Sequence, residues 1–131
     1  MSASSISSRI VRAERTAATT LESFARAGAA AEGVRLASLA AIDQIQVRTR
    51  NSLYQITMLG GEGDRVLVLG GAFFPVWTET RLSGSTLGGS FLKMGWVGCG
   101  FCMEFLHEGQ RIVTTRVREI RKVETATTTV C

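Results

Sequence analysis

Residues 44–69 read QIQVRTRNSLYQITMLGGEGDRVLVL, and this stretch decides the fold class. In Gln44–Arg50 the side chains Ile45, Val47 and Thr49 alternate with Gln46, Arg48 and Arg50. Successive side chains of a strand point to opposite faces, so a period of two marks a strand with one buried face. Asn51-Ser52 is a turn signal. Leu53–Leu59 resumes the alternation, with Tyr54, Ile56 and Met58 set against Gln55 and Thr57. The run Gly60-Gly61-Glu62-Gly63-Asp64 reads as a hairpin connection, and Arg65–Leu69 as a third, mostly apolar strand stopped by Gly70-Gly71.

The same grammar continues toward the C-terminus. Phe73-Phe74-Pro75 is expected to be irregular or at an edge, because proline cannot donate to a ladder. Val76–Leu82 alternates with Trp77, Glu79 and Arg81 on one side, and residues 84–90 (GSTLGGS) read as a Gly/Ser bend. Met94–Leu106 is the longest strand expected, with Val97, Cys99, Phe101, Met103 and Phe105 on one face and Trp96, Gly98, Gly100, Cys102 and Glu104 on the other. His107–Gln110 is read as a hairpin turn, and Arg111–Thr115 with Val117–Val123 as one bent closing strand. Twelve of the 14 glycines fall between residues 60 and 109, where they permit sharp bends. Close strand spacing without intervening helical patterns excludes a parallel βαβ sheet. It predicts a mainly β fold, a small antiparallel β-barrel or roll of six to seven short strands at residues 43–123.

Upstream, residues 9–42 are Ala-rich and carry no β-rich run, which predicts a helical arm. Ile10, Ala17, Leu21, Phe24, Gly28 and Ala31 mark a thin apolar face, with Gly28 and Gly33 as breaks or caps and a second helical turn over Leu36–Ile42. Such an arm either packs over an opening of the domain or drives self-association. Residues 1–8 and 124–131 are expected to be a disordered polar tail and a frayed Thr-rich tail.

Composition bounds the function. The chain has 131 residues, 45% of them hydrophobic and 20% charged, which suits one domain with a real core. No apolar run is long enough to span a bilayer as a helix, so no membrane partner is expected. The net charge of +4 is mild, although Arg111, Arg116, Arg118, Arg121 and Lys122 crowd the C-terminal part. The three cysteines, an odd and low number, argue for a reducing compartment. The expectation is a bacterial, cytoplasmic protein.

Catalytic constellations are poor. His107 is the single histidine, and no Ser-Gly elbow accompanies it, so no catalytic residue is assigned. Glu62 and Asp64 sit in a Gly loop that suits a solvated turn. Cys99-Gly100-Phe101-Cys102 is a CxxC, but it lies in a strand pattern rather than at a helix start, where a dipole would lower a thiol pKa. Zinc would need His107 and Cys131 as further ligands, and no second matched pair exists. Neither a metal nor a cofactor is expected, while a CxxC redox or metal protein stays open as an alternative. A Walker loop is excluded at residues 84–93, since Lys93 is not adjacent to the glycines and no helix follows. Ser85, Gly88, Gly89 and Lys93 remain candidates for a weaker anion-binding loop.

The segment Ser83-Gly84-Ser85-Thr86-Leu87-Gly88 resembles the second signature of PilZ domains, small β-barrels that bind cyclic diguanylate, with Ser83 at that signature's acidic position. The family's companion motif, two arginines four apart on an arm before the barrel, is not matched: Arg48 and Arg50 are two apart, with Ser52 and Tyr54 beyond them. The resemblance implies a barrel that grips an anionic ligand. Independently, Arg48 and Arg50 share the polar face of the first strand and Arg116 and Arg118 one face of the last. If the terminal strands pair, the four form a candidate anion-binding stripe. The sequence therefore predicts a non-enzymatic binding or interaction module, with a protein partner or self-association first and an anionic ligand or nucleic acid as the alternative.

Overall fold

The computed structural model describes residues 20–60, 64–87 and 91–123. The tails expected at 1–8 and 124–131, the arm as far as residue 19 with Ile10 and Ala17, Glu62, Gly88, Gly89 and Cys131 lie outside the described residues. Helix α1 spans Leu21–Ala30 and strand β1 Gly33–Arg35, followed by a 3-10 turn over Leu36–Ser38. Then come β2 (Gln44–Thr49), β3 (Leu53–Met58), β4 (Arg65–Gly70), β5 (Phe74–Thr86), β6 (Leu92–Met94), β7 (Trp96–Gly98), β8 (Cys102–His107) and β9 (Gln110–Val123).

The fold is mainly β, with six strands closed into an antiparallel ring. The order β4-β3-β2-β9-β8-β5 closes through β5 back onto β4, and β6 adds to the far side of β5. Closure leaves these six strands no free ladder between them. The alternation read in the sequence is the inside–outside pattern of the barrel: Ile45, Val47, Ile56, Val66, Val68, Leu82, Met103 and Phe105 are fully buried. Phe74 packs edge-on against Phe105 with ring centroids 5.1 Å apart. Thr20 caps α1 by accepting a hydrogen bond from the Ser23 amide (3.0 Å). At the β8–β9 hairpin Glu108 and Gly109 have φ values of 51° and 81°, the paired positive angles that match strand twist.

Four local expectations are corrected. The long strand expected at Met94–Leu106 is broken twice: Met94 ends β6 and Gly95 turns before β7, and β7 and β8 are separated by a turn at 99–101. Gly100 takes φ 89° there, and the Phe101 amide donates back to the Gly98 carbonyl at 3.2 Å. The Gly/Ser bend at 84–90 begins as strand, because Gly84–Thr86 pair with both β6 and β8. Gly84 serves close approach there, since a Cβ would stand 2.1 Å from the Lys93 carbonyl oxygen. Gly28 and Gly33 are not breaks: Gly28 is buried within α1, and Gly33 lies in β1 against the Trp96 ring. The second helical turn is only the 3-10 turn, and Gly33–Arg35 before it is strand, paired antiparallel with β7.

Strand irregularities set up the outer surface. Between β2 and β9 the register passes from Arg48 opposite Glu119 to Thr49 opposite Val117, so Arg118 is an extra residue bulged out of the ladder. A second shift between β9 and β8 is stitched by Thr114, whose buried hydroxyl accepts from the Met103 amide (3.0 Å) and donates to the Thr115 carbonyl (2.7 Å).

Candidate functional site

A second, smaller apolar cluster holds α1 and the β1–β7 ribbon to the barrel. Phe24 is its anchor, with ring centroids 5.6 Å from Phe101 and 5.7 Å from Phe91. Trp96 meets Phe101 edge-on at 5.2 Å. Phe24 and Gly28 are the buried residues of α1, whereas Leu21, expected on the same apolar face, is 62% exposed. Ser85 fixes the position of Trp96. Its buried hydroxyl donates to the Trp96 carbonyl at 2.7 Å and accepts from the Gly98 amide at 3.2 Å. Ser85 is thus a bridge between barrel and ribbon, with both hydrogen bonds made inside the fold.

Between α1, β1 and β6 lies an open groove of about 820 Å³. Its walls include Ala29 and Ala31, Arg35, and Leu92 and Met94, with Trp96 at the base. Lys93 enters it half-buried. Its stem passes the Cα of Gly28, and its ammonium sits 4.7 Å from the centre of the Trp96 ring, a cation–π contact. Arg35, opposite Trp96 in the β1–β7 ladder, is exposed.

Ion pairing decides which cations are free. Arg26 pairs with Glu22, Arg65 with Glu79, Arg81 with Asp64, Arg111 with Glu104 and Lys122 with Asp43. Arg48 and Arg121 share Glu119 at 3.6 and 3.1 Å. The hydrogen bond and charge of Arg121, with Arg48 adding, hold the Glu119 carboxyl below its ordinary pKa. Among the described residues Arg35, Arg50, Lys93, Arg116 and Arg118 have no carboxylate partner. The positive surplus of the described surface therefore sits at these five side chains and at the Arg48/Arg121 pair, whose two charges share one carboxylate.

The terminal strands β2 and β9 do pair, and the ladder sets the arginines in rows on its outer face. Gln46 faces Arg121, Arg48 faces Glu119, and beyond the bulge the Arg50 amide donates to the Arg116 carbonyl at 3.1 Å. Arg116 donates to the Gly100 carbonyl at 3.3 Å. Arg118, displaced by the bulge, lines a separate recess with Glu32 and Cys99. The structure thus brings Arg48, Arg50 and Arg116 together, sets Arg118 beside them, and adds Arg121, which sequence reasoning left out. Its signal was available, since Arg121 keeps the parity of Glu119 on β9. Lys93 belongs to the groove instead.

Cys99 and Cys102 are free thiols on either side of the 99–101 turn. Burial pushes the Cys99 thiol pKa up, with Glu32 and Glu119 adding. Burial raises Cys102 too, against a lowering pull from Arg116. Both environments suppress thiolate, the nucleophile and metal-binding form. His107 is the last residue of β8, its ring 6.1 Å from Phe74. Among the described residues, no group of three or more His, Cys, Asp or Glu stands close enough to hold a metal ion. No helix of the described residues is long and apolar enough to cross a membrane. Comparison of the chain with family models, curated proteins and solved structures returned no match.

Proposed function

We propose that the protein is a non-catalytic binding module that takes the backbone of a nucleic acid across the arginine rows of β2 and β9. The observation that carries this is the balance of charge on that face: Arg48 and Arg121 stand on the paired strands and Arg50 and Arg116 just past the bulge, with Arg118 displaced beside them and Glu119 as the carboxylate that pairs among them. Guanidinium groups fork onto phosphate oxygens, and a rigid barrel holds them without ordering a loop. The rows contain no aromatic side chain on which a base could stack, so the reading is of phosphate contact rather than sequence recognition. The PilZ resemblance points to the same ligand chemistry, but the Ser85 hydroxyl is engaged by Trp96 and Gly98. A polymer on the arginine face is therefore preferred to a cyclic dinucleotide gripped at Ser85. A cytoplasmic setting is part of the proposal and agrees with two free thiols.

Titration of fluorescent RNA, single-stranded DNA and cyclic diguanylate at two salt concentrations tests it, with a fourfold Arg48/Arg50/Arg116/Arg118→Ala variant alongside. Salt-sensitive polymer binding that the variant loses supports the reading, and equal, negligible binding by both proteins refutes it.

A second reading, a protein partner, is supported by one separate feature. Phe73, Val76 and Trp77 are 52%, 66% and 45% exposed within five residues of sequence, around the irregular pairing of β4 and β5. Size-exclusion chromatography with light scattering, on the parent and on Trp77→Arg, tests self-association there.

A further inference from the structure

We propose that the groove between α1, β1 and β6 is a second, independent site, which binds a small amphipathic anion, a carboxylate head on an apolar body. The arrangement has two parts that fit two parts of such a ligand. The head would meet Arg35 and Lys93, the two cations of the groove, both without a carboxylate partner among the described residues. Asp64 is the acid on the groove wall, and Arg81 already binds both of its oxygens at 3.0 Å. The wall therefore presents net positive charge to a ligand. The body would lie along Ala29, Ala31, Leu92 and Met94, of which Met94 is 77% exposed. At about 820 Å³ the groove is far larger than a bare inorganic anion needs and falls in the size range of small-molecule sites.

Lys93 gives the site a built-in reporter. Its ammonium rests over Trp96 at 4.7 Å, close enough that a carboxylate drawing it away changes the surroundings of the indole. Trp77, the other of the two tryptophans, is on the outer face of the barrel and can be removed as Trp77→Phe.

The experiment titrates the full chain carrying Trp77→Phe with decanoate below its micelle concentration, following Trp96 fluorescence, with isothermal titration calorimetry giving the affinity of every variant because Lys93→Met removes the fluorescence reporter. Decanol and acetate are titrated in parallel. Lys93→Met keeps the stem beside Gly28 while removing the charge, and Arg35→Gln keeps a polar side chain. Near-UV circular dichroism checks that each variant is folded like the parent. The expected result is saturable binding of decanoate, with decanol and acetate at least about tenfold weaker and each variant losing about tenfold for decanoate, the scale of a charge-assisted hydrogen bond. Absence of saturable binding overturns the proposal. So does decanol binding as well as decanoate, acetate binding as well as decanoate, or decanoate affinity unchanged in either variant. The polymer reading is unaffected by any of these outcomes, because it rests on other side chains.

Discussion

Phe24→Ala tests how the N-terminal helix is held. Phe24 is 6% exposed, and its ring meets Phe91 and Phe101 in the cluster that also contains Trp96. Truncating a buried phenylalanine costs about 3–5 kcal/mol. The lower end applies here, because the site lies between a short helix and the barrel wall and can collapse or open. A ten-residue helix is not stable alone in water, and α1 buries only Gly28 besides Phe24. The variant is therefore expected to release α1 while the main core around Ile45, Val68 and Phe105, a separate cluster, stays folded. Urea denaturation of the parent and variant should show a loss of about 3 kcal/mol. Hydrogen exchange should show α1 amides losing protection while β2, β3 and β8 keep theirs. A stability change within about 0.5 kcal/mol, with α1 still protected, refutes the anchoring role.

Three further outcomes follow from the same contacts. Ser85→Ala leaves the Trp96 carbonyl and Gly98 amide without their buried partner and should cost about 1–3 kcal/mol by urea denaturation; a neutral effect denies the bridge. Gly33→Ala places a Cβ 2.4 Å from the Trp96 ring, so β1 or the indole must move, and the variant should show altered near-UV circular dichroism and a lower Tm. Partial burial disfavours the thiolates of Cys99 and Cys102, so less of the reactive form is present at any given pH and alkylation should rise with a midpoint above the ordinary thiol pKa; an iodoacetamide rate profile with a midpoint at or below it contradicts their half-buried settings.

The barrel was legible where alternation is strict. Ile45, Val47, Tyr54, Ile56 and Met58 point inward as their spacing demands, because burial on one face of a pleated strand imposes a period of two. Pro75 was rightly placed in an irregular stretch, where β4 and β5 lose register. Other features left no periodic trace. β1 is three residues long, too short for any pattern, and owes its existence to pairing with β7. The break after Gly98 was hidden because the apolar alternation runs on through Cys99, Phe101 and Met103. Phe101 is indeed buried, but in the cluster with Phe24 and Trp96 rather than in the barrel core. The candidate surfaces were half legible for a related reason. Sequence shows where arginines are, while cross-strand register determines which of them meet a carboxylate. Arg48 shares Glu119 with Arg121 because β2 and β9 pair in one particular register, and Arg35, set opposite Trp96 by the β1–β7 register, has no carboxylate partner among the described residues.

The central claim is that the arginine rows of β2 and β9 hold phosphates, and the salt dependence of RNA binding tests it most directly. Anisotropy titrations of a labelled single-stranded RNA over a range of salt concentrations give log K against log salt for the parent and for Arg50→Ala/Arg116→Ala. Each phosphate contact on a single strand contributes a slope of about −0.7, so losing two should make the slope shallower by about 1.4. Parallel lines for the two proteins, or no measurable binding by the parent at low salt, contradict the account.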